Sequence, residues 1–516
     1  MTIQAKIKKN TYFDSVSLMS LSTRANLIAG VKQAMIGMGT DMNKEVIRNV
    51  GMGSKEIDDA GTGDLMITIE TDNSDAVDTI FDEIDLLFTI KEKKPQKGET
   101  VYKSINQAST EIEEAKLVVI SVNGAFAARE AQIALDKDLH VMLFSDNVSI
   151  EEELSLKKKA HEKGLLMMGP DCGTAIINNI GLCFANKVRK GSIGIVAASG
   201  TGAQEMSVRI HEFGYGISQL IGTGGRDLSE AIGGIMMLDG LAALEKDDET
   251  KVIVLVSKPP AKSVEVNVLE AVKNSKKPVV VYFLGGDEET ITKSGGYYAK
   301  RSKEAAIKAV VLAGANEEEL DTHPLNIPLV EEVRAKLSDE QKYIRGLFCG
   351  GTLCDEAMFA AMEKLDNVYS NIHPNPEFKL VDNNKSQAHT FIDFGSDEFT
   401  SGKPHPMIDP STRIDRFLKE AADPEVAVIV LDFVLGYGSH EDPVGVMLPA
   451  IEAAKKQAEE AGRHLEILGY VLGTELDVQN IQKQTQKLMD VGVTISSSSQ
   501  NTGLLAREFV LKGDSQ

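Results

Sequence analysis

Hydrophobic and polar positions alternate in two regular ways along most of this chain. From about residue 105, short continuous apolar runs such as KLVVISVN (116–123) are followed by segments whose apolar residues recur every three or four positions, such as GAFAAREAQIALDKD (124–138). Continuous apolar runs are typical of parallel strands that helices cover on both faces. The pattern therefore predicts α/β domains with parallel sheets over this part of the chain.

The first 97 residues have a different pattern, which predicts a small α+β domain. Apolar runs and helical periodicity follow each other as strand, helix, strand and helix, at residues 11–22, 24–38, 64–73 and 76–88. This βαβα order suits a ferredoxin-like arrangement. The charged segment EKKPQKGET (92–100) contains Pro and Gly, as linkers often do, and indicates a domain boundary near residue 97.

The remaining chain is predicted to form three α/β domains, at residues 98–190, 191–340 and 341–516. The first has strand–helix repeats without the GxGxxG turn that opens a dinucleotide-binding fold, so it corresponds to the later half of a Rossmann-type domain. The other two repeat one order of elements: a Gly-Thr loop, a Gly-rich or acidic strand end, a helix and three further βα steps. Each is predicted to be a doubly wound, flavodoxin-like domain that binds ligands at the carboxyl ends of its strands.

Both repeats begin with the same loop motif. Residues 192–206 read SIGIVAASGTGAQEM and residues 345–358 read RGLFCGGTLCDEAM, and each has a Glu four residues after the Thr, at Glu205 and Glu356. The unpaired N–H groups at a helix start, with the positive end of the helix dipole, favour a phosphate or a carboxylate. The motif predicts two anion-binding helix ends; the alternative is that Gly and Thr serve only the geometry of a tight turn.

The composition limits the classes of partner. The 516 residues include 55 Lys and Arg against 77 Asp and Glu, and the formal net charge of −22 disfavours nucleic acid and anionic membranes. No apolar run reaches the roughly 18 residues of a membrane span, and the N-terminus lacks a signal-peptide core, so a soluble cytoplasmic protein is expected. The nine His and four Cys have no metal-binding spacing, and no metal site is expected.

Several motifs resemble those of one protein superfamily, in the same order along the chain. MGPDCGTAI, GSIGIVAASGTGAQE and IGTGGRD are similar to the α subunit of succinyl-CoA synthetase, and FIDFGSDE and VIVLDFVLGYGSHEDPVG resemble the ligase domain of its β subunit. Both halves in one chain, behind an N-terminal domain, resemble the FdrA family. The resemblance implies a CoA-binding-type partial domain followed by two succinyl-CoA synthetase-type domains.

The resemblance also implies where an anion binds. In the synthetases, two helices point their N-termini at one phosphate between the two ligase domains. The matching loops imply that the anion contacts Ser199, Gly200, Thr201, Gly202, Gly436, Tyr437, Gly438 and Ser439. Candidates for substrate binding are the second Gly-Thr turn, a loop at the start of a predicted helix and a lysine in a Pro-rich loop: Gly350, Gly351, Thr352, Asn123, Gly124 and Lys403.

One departure from the synthetases decides what reaction the resemblance implies. The region that matches their phosphohistidine loop, TITKSGGYYAKRSKEAA (290–306), contains no His, and neither the first CoA-binding half nor an ATP-grasp domain is recognisable. FdrA-like proteins are associated with oxamate carbamoyltransferase, which works with two other subunits in allantoin degradation and links oxalurate and phosphate to oxamate and carbamoyl phosphate.

A carbamoyltransferase subunit is therefore implied, with small anions as substrates, other subunits as partners and no resident cofactor. An acyl-CoA synthetase-like subunit that binds coenzyme A, and a non-catalytic assembly scaffold, are the alternatives.

Three loop residues are candidates for the catalytic roles of such a reaction. Arg226 is a candidate to bind a phosphate or carboxylate with two parallel hydrogen bonds; the alternative is a surface salt bridge with Asp227. His405, in SGKPHPMIDP (401–410), is a candidate donor to the carbamoyl oxygen or a general acid–base; the alternative is a structural turn. His440, at a predicted helix start, should stay neutral and act as a donor or base.

Overall fold

The computed structural model describes most of the chain as two compact units. The described residues are 2–11, 13, 18, 21–22, 24–26, 28–40, 43–44, 47–48, 51–73, 76–89, 100–400 and 403–511. One unit comprises Met1–Tyr102 with Thr400–Pro404, and the other comprises Lys103–Phe399 with His405–Gln516.

The N-terminal unit contains a three-stranded antiparallel sheet in the order β1-β3-β2. Its elements are β1 (Thr2–Lys8), β2 (Val31–Met38), α1 (Lys55–Asp58), β3 (Leu65–Thr71) and α2 (Val77–Thr89). The strand predicted at 64–73 and the helix predicted at 76–88 are confirmed by β3 and α2. The domain is α+β, as predicted.

Two element predictions in this unit are wrong. The segment 24–38 was expected to be helical, but its second half is β2, in which Ala34, Ile36 and Met38 are buried at every other position. That period of two is the strand period. The segment 11–22 was expected to be a strand, but its described residues include helical ones, at Leu18, Leu21 and Ser22. The rest of that segment, and nearly all of the predicted linker at 92–100, lies outside the described residues.

The second unit begins with a small parallel sheet in the order β4-β5-β6. The elements are α3 (Ile105–Glu111), β4 (Leu117–Ile120), α4 (Gly124–Asp136), β5 (His140–Leu143), α5 (Ile150–Lys163) and β6 (Met167–Met168). A capping box of Ser149 and Glu152 starts α5, and Gly164 ends it in the left-handed conformation, as helix-termination rules expect. Three strands with their helices form the partial Rossmann-type domain that the sequence predicts.

A seven-stranded sheet follows, in the order β13-β12-β11-β9-β10-β7-β8. Strands β9 to β13 are parallel, and β7 and β8 form an antiparallel hairpin along β10. The strands are β7 (Thr174–Ile177), β8 (Ile180–Cys183), β9 (Lys190–Ala197), β10 (Ile217–Gly222), β11 (Val252–Ser257), β12 (Val279–Phe283) and β13 (Tyr297–Tyr298). The helices are α6 (Gly200–Glu212), α7 (Ile235–Lys246), α8 (Lys262–Lys273), α9 (Glu288–Lys293) and α10 (Ser302–Leu312).

A six-stranded parallel sheet completes the unit, in the order β15-β16-β14-β17-β18-β19. Its strands are β14 (Tyr343–Phe348), β15 (Val368–Ser370), β16 (His389–Asp393), β17 (Val426–Val434), β18 (Glu466–Leu472) and β19 (Thr494–Ser496). The helices are α11 (Ile327–Lys336), α12 (Gly351–Met362), α13 (Asp397–Thr400), α14 (Ser411–Ala421), α15 (Leu448–Glu460), α16 (Ile481–Asp490) and α17 (Ser499–Val510). The predicted α/β class is confirmed; the exact domain boundaries stay predictions.

A fully buried ion cluster joins the small sheet to the seven-stranded one. The ammonium of Lys157 on α5 donates to Glu153 Oε1 (2.8 Å), to Asp227 Oδ1 (2.8 Å) and to the carbonyl oxygen of Thr223 (2.9 Å). Asp227 also accepts the backbone N–H of Met237 at the start of α7 (2.8 Å). Lys157 therefore compensates, together with Arg226 on Glu153, two carboxylates that burial would otherwise make very unfavourable.

Replacement of Lys157 by methionine should strongly destabilise the fold, because it leaves the buried carboxylate of Asp227 without its cation. Because Glu153 keeps its ion pair with Arg226, the loss falls mainly on Asp227, and we expect the free energy of unfolding to fall by about 3–5 kcal/mol, measured by urea denaturation. Lys158→Met, at an exposed position of the same helix, is the matched control and should change it by less than about 0.5 kcal/mol. Equal effects of the two substitutions would contradict a stabilising role of the cluster.

Candidate functional site

The two Gly-Thr loops lie face to face. The first starts α6 at Gly200 with Ser199 as its N-cap, and the second starts α12 at Gly351. Ser199 Oγ lies 2.5 Å from Thr352 Oγ1, and the backbone N–H of Thr352 donates to Thr201 Oγ1 (3.3 Å). The starts of two helices, one from each large sheet, therefore meet at one place.

This arrangement brings two positive helix ends together. The first-turn N–H groups of a helix have no acceptor within the helix, and here one of them, that of Gly202, is satisfied by Ser199 Oγ (3.0 Å). The amides of Gly200, Thr201 and Gly351 lie in the first turns that face each other. Two such ends at one point favour a phosphate or a carboxylate.

A crossed pair of buried hydrogen bonds connects the two large sheets next to the Gly-Thr loops. Glu205, on α6, accepts from the hydroxyl of Tyr470 on β18 of the other sheet. Glu356, on α12, accepts from the hydroxyl of Tyr282 on β12 of the first sheet (2.5 Å). Each helix is thus tied to a strand of the opposite sheet, and the two glutamates occupy equivalent positions in the two repeats.

The two glutamates differ in their other partners. Glu356 also accepts from the backbone N–H (2.9 Å) and hydroxyl (2.8 Å) of Ser302, and from the hydroxyl of Ser499. Glu205 has the guanidinium of Arg209 at 3.7 Å instead. Burial raises the pKa of Glu205 to about 7, and Arg209 opposes this rise.

A buried aspartate holds the second Gly-Thr loop in place. Asp432, on β17, accepts the backbone N–H groups of Cys349 (2.7 Å) and Gly350 (2.9 Å). Arg413 donates to the same carboxylate (2.7 Å). The loop is therefore anchored from the neighbouring strand, which fixes the position of the α12 start.

The prediction that residues 436–439 form the second helix start is wrong. Gly436 and Gly438 have φ of 109° and 76°, left-handed values that turn the chain out of a helical path, and the next helix, α15, begins at Leu448. The partner of the α6 start is instead Gly350, Gly351 and Thr352. Tyr437 and Ser439 belong to that turn. The N–H of Tyr437 donates to the carbonyl oxygen of Ala185 (2.8 Å), and the buried Ser439 hydroxyl has no hydrogen-bond partner among the described residues.

Arg226 and His440, two of the three catalytic candidates, are engaged in structural contacts. Arg226 pairs with Glu153 (2.9 Å) and donates to the carbonyl oxygen of Val148 (2.7 Å), so its partner is not Asp227, which binds Lys157. His440 is not at a helix start; its Nδ1 accepts from the backbone N–H of Asp442 (3.0 Å).

Asn123 and Gly124 act at the start of α4. Asn123 Oδ1 accepts the N–H of Ala125 (3.0 Å), and a Cβ on Gly124 would lie 2.2 Å from the carbonyl oxygen of Asp146. Lys403 lies in the segment Thr400–Pro404 of the N-terminal unit. Within this segment its backbone N–H donates to the carbonyl oxygen of Thr400 (3.0 Å).

His405, the third candidate, lies beside the loops. Its ring packs on the ring of Phe184, with the centroids 5.4 Å apart. The hydroxyl of Thr174 donates to the carbonyl oxygen of Phe184 and lies 3.3 Å from the carbonyl oxygen of Gly200, in the first loop. Burial lowers the pKa of His405 to about 4, with Arg413 adding to the effect. The ring is therefore neutral near pH 7, and because Nδ1 accepts the N–H of Met407 (3.2 Å), its proton is on Nε2.

Sequence reasoning missed three charged residues next to the helix starts. Asp393 ends β16, and a Cβ on Gly351 would lie 2.7 Å from its Oδ2. Lys258 follows β11, and its Nζ lies 2.9 Å from Asp355 Oδ2 on α12. Asp393 lies in the FIDFGSDE motif, at a parallel strand's carboxyl end, which was a usable signal; Lys258, in the ordinary sequence VSKPP, gave none.

Burial dominates the electrostatics of this cluster. It raises the pKa of Asp393 to about 7; Lys258 opposes the rise, and Asp355 and Asp432 add to it. Burial also raises the pKa of Asp355, with Lys258 opposing. A carboxyl group that is half protonated near neutral pH, beside a lysine and two helix starts, is suited to proton transfer.

Comparison with known proteins places the chain in a family. The model of the CoA-ligase family matches residues 347–509, and that of the CoA binding domain matches residues 188–285. Subunit alpha 2 of the ADP-forming succinate–CoA ligase of Archaeoglobus fulgidus is 30% identical over 231 residues, which cover 42% of this chain and 77% of that one. The chain belongs to the succinyl-CoA synthetase-like superfamily.

Two other comparisons cover more of the chain. The uncharacterized protein YahF of Escherichia coli is 60% identical over 514 residues, the full length of both chains. A dinucleotide-forming acetyl-coenzyme A synthetase of Ca. Korarchaeum cryptofilum, solved with phosphate and ADP, aligns over 81% of this chain and 87% of its own, with 14% identity and a TM-score of 0.37.

The N-terminal unit matches a domain named for metals. The model of the AllF heavy metal-associated domain matches residues 1–104. This segment contains neither Cys nor His, the ligands that soft and borderline transition metals prefer. Among the described residues, no group of three or more His, Cys, Asp or Glu is placed to hold a metal. The donor set of this superfamily member does not fit a heavy-metal site.

Across the described ranges, none of the helices has the length and apolar character needed to cross a bilayer.

The two tyrosines of the crossed pair should differ in their effect on stability. Tyr470→Phe removes the hydroxyl donor of Glu205, whose remaining cation is 3.7 Å away, and we expect it to lower the free energy of unfolding by about 1–3 kcal/mol. Tyr282→Phe leaves Glu356 with its two serines and should cost less than about 1.5 kcal/mol. Parallel urea titrations of the two variants measure this difference, and a larger loss for Tyr282→Phe would contradict the assignment of partners.

Proposed function

We propose that this chain is a subunit of a cytoplasmic carbamoyltransferase that moves a carbamoyl group between phosphate and oxamate. In the direction of breakdown, oxalurate and phosphate would give oxamate and carbamoyl phosphate. The observation that carries this proposal is the meeting of the α6 and α12 starts, without a histidine in the segment 290–306 that would take up the phosphate. We call the facing helix starts, at residues 199–202 and 350–352, the cradle. Without that histidine, the cradle is free to hold a phosphate group that belongs to a substrate.

The residues around the cradle support direct transfer between two bound substrates. The facing amides and hydroxyls of the two loops would hold the phosphate. The neutral His405 would direct its Nε2–H at the oxygen of the carbamoyl group, where negative charge develops. Lys258 would bind the carboxylate that oxalurate and oxamate share. Neither coenzyme A nor a phosphorylated side chain is needed for this reaction.

A second candidate is an acyl-CoA ligase reaction of the kind that succinate–CoA ligases are named for. It is supported by the matches of the CoA-ligase and CoA binding models and by the relative from Archaeoglobus fulgidus. Against it stands the missing histidine, because the synthetases that the chain resembles carry phosphate on that residue. This candidate would require coenzyme A and a nucleotide-binding partner.

The chain is proposed to act with other subunits. The FdrA resemblance supports a hetero-oligomer, and a scaffold that binds an anion only to hold these partners together is the non-catalytic alternative. Activity and assembly therefore have to be measured on the same preparation.

One assay distinguishes the two candidate reactions. The full chain is co-expressed and purified with the products of its neighbouring genes, and is then supplied with oxalurate and phosphate. We expect phosphate-dependent formation of carbamoyl phosphate and oxamate, detected by mass spectrometry. No product, together with CoA-dependent release of ADP from ATP and a carboxylic acid, would overturn the proposal in favour of the ligase.

Loss of the facing hydroxyl groups should weaken catalysis without unfolding the chain. Ser199→Ala and Thr352→Val each remove one hydroxyl that lies between the helix starts and conserve packing. We expect kcat/KM for phosphate to fall by about 10- to 100-fold, the value of a hydrogen bond to a charged group. Ser109→Ala, at a partly exposed position of α3, is the control and should leave it unchanged. Full activity of the first two variants would contradict a phosphate site here.

A further inference from the structure

We propose that the carboxyl group of Asp393 carries the proton that carbamoyl transfer moves between phosphate and the leaving nitrogen. This inference rests on the proposed function and adds the group that protonates the leaving amide of oxalurate. It concerns a residue that ends β16 and reaches the start of α12, where the cradle lies.

The two oxygens of Asp393 are in different environments. Oδ1 accepts the backbone N–H of Gly395 (2.8 Å), so it is engaged as an acceptor. Oδ2 faces Gly351, the first residue of α12, where a Cβ would lie only 2.7 Å away. Oδ2 is therefore the oxygen that can hold a proton, and it points at the helix start at which phosphate would bind.

Two glycines allow neighbouring groups to lie close to this carboxyl group. A Cβ on Gly395 would lie 2.7 Å from His405 Nε2 and 3.1 Å from Asp393 Oδ1. A side chain at either Gly351 or Gly395 would therefore clash with the carboxyl group or with the groups packed beside it. His405, whose Nε2–H is the proposed donor to the carbamoyl oxygen, also packs against Gly395. The proposed proton carrier and the proposed hydrogen-bond donor therefore lie near one reacting centre.

The other carboxyl groups of this region are committed to structural partners. Asp432 accepts two backbone N–H groups and pairs with Arg413. Asp355 forms an ion pair with Lys258. Glu205 and Glu356 accept from the tyrosines of the opposite sheets. Asp393 differs from all four, because in the described part of the chain its side chain has neither a paired cation nor a hydroxyl donor.

Charged and titratable groups face Asp393 from four neighbouring elements. They are Lys258 after β11, Asp355 and Cys354 on α12, Asp432 on β17 and Cys349 after β14. The acids disfavour its ionisation and the lysine favours it, in addition to the dominant effect of burial. The resulting pKa of about 7 allows both gain and loss of a proton at physiological pH.

The step balances without any other reactant. A phosphate oxygen forms a bond to the carbamoyl carbon, and the bond from that carbon to the amide nitrogen breaks, with its electron pair going to nitrogen. The nitrogen takes the proton from Asp393, which completes the amide of oxamate. The P–OH group of phosphate returns a proton to Asp393, so that carbamoyl phosphate leaves and the carboxyl group ends as it began.

The test compares pH profiles of kcat/KM in the two directions of the reaction, using the purified complex. Breakdown of oxalurate needs protonated Asp393, so the wild-type rate should fall above about pH 7. Formation of oxalurate from carbamoyl phosphate and oxamate needs the ionised form, so that rate should rise toward pH 7. Asp393→Asn should lower both rates by about 100- to 10,000-fold. It should also remove both limbs of the pH profiles, that is, the fall of one rate above pH 7 and the rise of the other toward pH 7. A limb caused by the ionisation of phosphate itself would persist in this variant.

Two further variants separate proton transfer from structure. Gly351→Ala keeps the carboxyl group but places a methyl against Oδ2, and should also lower both rates. Asp415→Asn makes the same chemical change at an exposed position of α14 and should leave rates and limbs unchanged. Calorimetric titration with inorganic phosphate should give the same affinity for Asp393→Asn as for wild type.

The outcomes distinguish the inference from the function on which it rests. An active wild-type complex with an equally active Asp393→Asn variant, or with both limbs retained, overturns the inference alone. Lost phosphate binding in that variant assigns Asp393 a structural role and overturns it too. A wild-type complex that makes no carbamoyl phosphate overturns the proposed function and the inference together.

Discussion

The architecture of the second unit depends on two buried glutamates that each reach across to the other sheet. A buried carboxylate is tolerated only when its hydrogen-bonding capacity is met, and here tyrosine hydroxyls from the opposite strands contribute to it. This requirement fixes α6 and α12 against both sheets at once. The meeting of the two helix starts follows from it.

How far the fold could be predicted depended on the strength of the local pattern. Continuous apolar strands such as β9 and β14, each followed by a glycine turn and a helix, identify the parallel α/β units correctly. In the N-terminal unit, β2 (VKQAMIGM) was mistaken for a helix because it contains good helix formers. There the pairing of β2 with β3 decides the conformation, and the intrinsic helix and strand propensities of the residues do not predict such pairing.

The candidate site was only partly predictable, for a different reason. The first Gly-Thr loop and His405 were recognised because their residue types are unusual in context. The loop at 436–439 was assigned to a helix start by likeness alone, whereas two left-handed glycines make it a turn. Lys258 and Asp393 come from separate sheets and come together only in the folded chain. Their chemistry arises from burial and mutual charge, which no local pattern records.

The crossed hydrogen bonds of Glu205 and Glu356 also suggest why both repeats are parts of one polypeptide. If the chain were divided between α11 and β14, each half would fold around a glutamate that lacks the tyrosine of its opposite sheet. Neither half would be complete as a separate subunit, because each holds the hydroxyl that the other requires. Covalent linkage keeps the two repeats at a high effective concentration. The two repeats therefore form one folding unit. Divergence of either repeat is then constrained by the strands of the other.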